Sequence, residues 1–76
     1  MKRFIRNKIT GDYFTDGAWN RDYSVATDFK DTMSVLHAAR KLDRTNLEEI
    51  LMVKDRPSGL DVTLALYVPV WRNVKT

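Results

Sequence analysis

A chain of 76 residues with no cysteine, one histidine, 43% hydrophobic and 30% charged residues and a formal net charge of +3 is one small domain. Two domains would each sit near the roughly 40-residue limit below which chains usually need staples, and zero Cys with one His allows neither a disulfide framework nor a tetrahedral Cys/His metal site. Lys2, Arg3, Arg6 and Lys8 carry +4 with no acid among the first eight residues, so the remainder sums to −1 and the basic character has one address.

Residues 2–9 have the two-residue period of a strand, with Arg3, Ile5, Asn7 and Ile9 on one face and Lys2, Phe4, Arg6 and Lys8 on the other. Ile5 and Ile9 mark the expected core side. The opposite face reads as a basic stripe interrupted by the Phe4 ring. Thr10-Gly11-Asp12 followed by Tyr13-Phe14-Thr15 predicts a hairpin. Asp16-Gly17 is a second tight-turn signal, after which Asn20-Arg21-Asp22 reads as loop and residues 25–29 as a short strand.

From 32 to about 42 there is no Gly or Pro, and Val35, Leu36, Ala39 and Leu42 recur at helical spacing with Ala38 on their flank. Asp31 is the natural N-cap, with Asp28 as the competitor. Arg40, Lys41 and Arg44 place positive charge where the helix C-terminus favours it. Asn46 followed by Glu49 has the spacing of a capping box, but a helix ended by Pro57-Ser58-Gly59 would have barely two turns, so a strand over 49–54 is preferred. Residues 62–71 form the clearest strand, with Val62, Leu64, Leu66, Val68 and Val70 on one face and Tyr67 and Trp71 on the other. Pro69 belongs at its end or on a sheet edge, and 72–76 read as a frayed tail.

This order predicts an α+β domain: a two-layer fold with an antiparallel sheet of four to five strands and one main helix on one face, β-β-(β)-α-β-β. A chain this short buries only about 60% of its unfolded surface, so an exposed sheet edge or a homodimer seam is physically reasonable. Met1-Lys2-Arg3 has the charge of a signal-peptide n-region, but no apolar stretch of roughly 7–15 residues follows it. The run 62–71 is about half the roughly 20 residues of a membrane span. The expectation is a soluble, cytoplasmic protein without a membrane partner.

Catalytic chemistry has little to draw on. His37 sits on the helix side opposite the apolar stripe, as a solvated residue or a surface contact, and Ser34 is not placed to form an oriented nucleophile–base pair with it. Glu48 and Glu49 are neighbours on a strand, so they point to opposite faces and cannot share a proton or a substrate. Asp12, Asp16, Asp22, Asp28 and Asp31 resemble a calcium site in composition only, because no window has the EF-hand spacing. Neither catalytic residues, nor a metal site, nor a cofactor is expected.

Two surfaces remain. Lys2, Arg3, Arg6 and Lys8 with Phe4, and Tyr13 or Phe14 across the hairpin, have the chemistry to set cations on phosphates and a ring under a base; the same stripe also suits a solvated strand that guards a sheet edge. Tyr67, Trp71 and Arg72, with Arg40, Lys41 and Arg44 on the helix, have the composition of a protein-binding surface, while Trp19 reads as closing one end of the core.

The layout Phe4-Ile5-Arg6-Asn7, Thr10-Gly11-Asp12-Tyr13-Phe14-Thr15, Trp19, Ala26-Thr27-Asp28-Phe29 and an Ala-containing helix resembles small proteins of bacteriophages and bacterial mobile elements over about residues 3 to 42. In size and simplicity the chain is also similar to anti-CRISPR inhibitors. The resemblance implies a non-enzymatic accessory factor that docks on a host protein or protein complex in the host cytoplasm. Mimics of DNA are usually strongly acidic; this chain is not, which points to occlusion by a mixed-charge surface. The alternative is a nucleic-acid-binding module built on the basic N-terminal strand.

Overall fold

The computed structural model describes residues 1–42 and 46–66. Among these residues five strands form one antiparallel sheet: β1 (Lys2–Asn7), β2 (Tyr13–Thr15), β3 (Ala18–Asn20), β4 (Leu47–Met52) and β5 (Val62–Ala65), ordered β3-β2-β1-β4-β5. One helix, α1 (Thr32–Leu42), packs on it. This is the expected α+β class with a helix on the sheet. The third strand, however, lies at Ala18–Asn20 and not at 25–29.

Local chemistry explains that shift. Asp16 and Gly17 both have positive φ, 43° and 92°, the left-handed pair that a two-residue hairpin turn requires. They bring Thr15 opposite Ala18 and Phe14 opposite Trp19. Residues 23–25 instead form a single 3₁₀ turn, because the Asp22 carboxylate accepts from the Ser24 backbone N–H at 2.9 Å and its hydroxyl at 2.7 Å. Between β1 and β2, Asn7 Oδ1 accepts from Ile9 N–H at 2.8 Å and Thr10 N–H at 3.2 Å, and Gly11 turns the chain at φ 82°. Ile9 therefore belongs to the turn, 71% exposed, and not to the core as its alternation with Ile5 predicts.

Around β1 and β4 the sheet is covered on both faces. On the helix side Ile5 and Leu47 pack with Val35 and Ala39 of α1, flanked by Phe14, Trp19, Phe29, Ala38, Leu42 and Leu66. On the other side Phe4, Tyr13, Ile50 and Met52 form a second cluster, closed by Tyr23 and Ala26. The segment between β3 and α1 supplies both lids. It lies beside the part of β1 that β2 does not reach, where Arg3 N–H donates to Asp28 Oδ1 at 3.0 Å and Phe29 N–H donates to the Arg3 carbonyl at 2.8 Å. Phe29 then stacks on Phe14 on the helix side, with ring centroids 6.1 Å apart. Neighbours Phe4 and Ile5 are consequently both buried, one in each cluster.

Asp31 caps α1 as expected, its carboxylate accepting from Ser34 N–H at 2.8 Å. That backbone hydrogen bond, aided by the Ser34 side chain, lowers its pKa. Arg40 and Lys41 occupy the last turn, where the helix dipole favours cations.

The expected strand 49–54 is β4, shifted to Leu47–Met52 and paired with β1 along its whole length. The Asn46/Glu49 capping box does not form. Asn46 is left-handed at φ 63°, and the chain enters a strand there.

Candidate functional site: the first strand and the open edge

The centre of the basic stripe, Phe4 and Arg6, is taken up by the fold, while Lys2 and Lys8 stay exposed. Arg6 stands opposite Glu48 in the β1–β4 ladder, and its Nε donates to Glu48 Oε2 at 2.7 Å. The same guanidinium lies 5.9 Å from the centre of the Tyr13 ring. Burial by itself opposes the charge, but the Glu48 and Tyr13 interactions outweigh it and hold the Arg6 pKa above its ordinary value.

On the helix side, Arg3 Nη1 donates to Glu49 Oε2 at 2.9 Å and to Thr32 Oγ1 at 2.9 Å, and the Thr32 hydroxyl donates to Glu49 at 3.3 Å. Glu49 is 1% exposed. The two adjacent glutamates do face opposite ways, as strand geometry requires, and each meets a cation from β1. A lone buried carboxylate is costly, which is why both carry partners.

Phe4 is 2% exposed and meets Tyr13 edge to face at 5.7 Å. It is a core ring and offers no platform for a base. Tyr13 is buried too, and the half-buried Phe14 packs against Trp19 and Phe29. Of the residues assigned to the nucleic-acid reading, only Lys2 and Lys8 are exposed without an ion pair among the described residues. They stand at the two ends of the strand, about 20 Å apart at 3.3 Å per residue.

Most of the scattered aspartates accept hydrogen bonds within the fold. Asp22 serves Ser24, Asp28 serves Arg3, Asp31 serves Ser34, and Asp61 serves Ser58 at 3.1 Å and Val53 at 3.4 Å. Asp12 takes Arg21 at 3.4 Å. Among the described residues no group of three or more His, Cys, Asp or Glu is placed to hold a metal ion, and no helix is long and apolar enough to cross a membrane.

Among the helix residues expected to bind a partner, Arg40 and Lys41 are exposed, as is His37. Arg44, Tyr67, Trp71 and Arg72 lie outside the described residues, as does the 72–76 tail.

What the sequence does not show is the exposure of β5, a strand that its alternation does predict. Val62 and Leu64 share a face with Leu66, as alternation predicts, and that face is the helix side. Yet Val62 is 45% and Leu64 42% exposed, because α1 rests over β1, two strands away. Val53 and Leu60, in the segment joining β4 to β5, are exposed as well.

On one side β5 is bonded to β4. Leu66 N–H donates to the Leu47 carbonyl at 3.2 Å, and Leu64 lies opposite Glu49. Backbone groups alternate in direction along a strand, so Val62, Leu64 and Leu66 turn theirs towards β4 while Thr63 and Ala65 turn theirs outward. Residues 62–66 carry no charge and no proline, the devices that usually blunt a sheet edge. The other edge, β3, has only three residues and runs into Arg21 and Asp22.

Comparison with protein-family models, with curated proteins and with solved structures returns no match.

Proposed function

We propose that the chain is a non-enzymatic protein-recognition domain that works through the β5 edge. The observation that carries this reading is the combination at β5 of outward-facing backbone groups, half-exposed Val62 and Leu64, and no guarding charge. An extended strand of a protein partner would gain main-chain hydrogen bonds at Thr63 and Ala65 and apolar contact at Val62 and Leu64. The resemblance of residues 3–42 to phage and mobile-element proteins supports a narrower role, an accessory factor that docks on a host protein complex and inhibits or modulates it by occlusion, as anti-CRISPR inhibitors do. In that role Arg40 and Lys41 supply a second, polar contact on α1. The nucleic-acid alternative is weakened by the same structure, since Arg3 and Arg6 are paired and Phe4 is buried.

The test is affinity capture from bacterial lysate with wild-type and Thr63→Pro baits in parallel. Proline at 63 removes an N–H that points away from β4, so the ladder to β4 stays intact. Proteins retained by the wild type are expected to be lost from the variant. Equal recovery on both baits, or none on either, contradicts the reading.

A further inference from the structure

We infer that the strand accepted by the β5 edge is β5 of a second copy, paired antiparallel about a two-fold axis at Leu64. This rests on the reading of β5 as the recognition edge and names its occupant in the free protein, which a host strand displaces on docking. A two-fold perpendicular to the sheet keeps both helices on one side, so residues facing each other across the seam must share a face. That condition excludes registers setting Val62 against Ala65 and allows those that match Val62, Leu64 and Leu66 among themselves.

The backbone narrows the choice. Thr63 and Ala65 carry the outward N–H and C=O groups, so they must form the hydrogen-bonded pairs. Placing Leu64 opposite its own copy sets Thr63 opposite Ala65 and Val62 opposite Leu66, and uses the whole of 62–66. No charged residue lies within that segment, so self-pairing sets no like charges against each other. Val62 and Leu64 of both copies then form one apolar strip on the helix side.

The helices leave room for this. With α1 over β1 and strands about 4.8 Å apart, five strand intervals separate β1 from its copy, about 24 Å. That is about twice the width of a helix with its side chains. The product is a ten-stranded sheet in which β5 ceases to be an edge.

Because the chain has no cysteine, single-cysteine variants map the seam directly. At the dyad, Leu64→Cys would sit at a non-hydrogen-bonded pair with Cα atoms about 4.5 Å apart, within disulfide reach. Under mild oxidation it is expected to shift to twice the monomer mass on a non-reducing gel. Thr63→Cys alone should stay monomeric, since its copy lies about 8 Å away by strand geometry, while a mixture of Thr63→Cys and Ala65→Cys should cross-link. The mixture keeps the test decisive where Leu64→Cys folds poorly.

A disulfide in Thr63→Cys alone overturns the Leu64 register. Absence of any cross-link from folded variants overturns the second copy as occupant. If Thr63→Pro still discriminates in lysate capture, that absence leaves the β5 reading standing; if it does not, both fail.

Discussion

Replacing Arg3 with alanine is expected to destabilise the domain by about 3 kcal/mol, the lower end of the cost of breaking a buried ion pair by removing one partner. Arg3 retains 21% side-chain exposure, which sets the estimate low, but Glu49 retains 1%. The loss leaves the Glu49 carboxylate facing only the Thr32 hydroxyl, which donates at 3.3 Å. It also opens the link between β1, β4 and the first turn of α1. Small domains have roughly 5 kcal/mol to lose, so Arg3→Ala is expected to keep only about 2 kcal/mol and, at about 4–8 °C per kcal/mol, to melt about 12–24 °C below the wild type.

The double variant Arg3→Met with Glu49→Leu separates the ion pair from its position. With neither charge buried, stability should return to near the wild-type value. Urea unfolding followed by far-ultraviolet circular dichroism reads both. A wild-type midpoint in Arg3→Ala would place Arg3 in solvent and return it to the set of binding cations.

Phe4→Ala is the second large effect. The ring fills the cluster with Tyr13, Ile50 and Met52, and truncating a buried phenylalanine costs about 3–5 kcal/mol in lost transfer energy and cavity. The same substitution in a base-stacking platform would lower nucleic-acid affinity and leave folding intact. Thermal unfolding therefore discriminates between the two roles of one residue. A lowered or absent transition fits a core ring, and an unchanged one fits an exposed ring. Lys2→Gln provides the contrast, because Lys2 is exposed and its removal should leave the melting point where it was.

Much of the fold is legible in the sequence, and the exceptions have physical causes. The helix is visible because Val35, Ala39 and Leu42 recur at its period and Asp31 has capping chemistry. β1, β4 and β5 are visible from alternation and turn residues, and the opposed directions of Glu48 and Glu49 follow from strand geometry alone. What alternation cannot show is how many faces of the sheet are covered. The basic stripe reads as exposed on the assumption of one buried face, whereas Tyr23 and Ala26 close the second. Phe4 thereby passes from surface to interior, and Arg6 becomes half-buried beside Glu48.

The pairing of Arg3 and Arg6 with Glu49 and Glu48 is a tertiary fact. Its only trace in the sequence is two cations of opposite parity on one strand and two adjacent acids on another. The misplaced third strand has a local cause, since Asp22 directs a 3₁₀ turn where alternation at Tyr23, Val25, Thr27 and Phe29 suggests extension. Exposure at Val62 and Leu64 depends on where the helix rests, which periodicity does not encode.

These corrections also change what is left to recognise a partner. Most of the described carboxylates, with Arg3 and Arg6 of β1, serve turns, caps and ion pairs, and the sheet's aromatic rings pack into its two cores. β5 differs in holding exposed apolar side chains and outward backbone groups together. The most direct measurement of its role is amide hydrogen exchange at β5 over a protein concentration series. Leu64 N–H, bonded to β4, should be protected at every concentration. Thr63 and Ala65 N–H should exchange rapidly in dilute protein and slow as concentration rises. Exchange at Thr63 and Ala65 that stays fast throughout would contradict an edge that is filled by association, as would protection already complete in the dilute monomer.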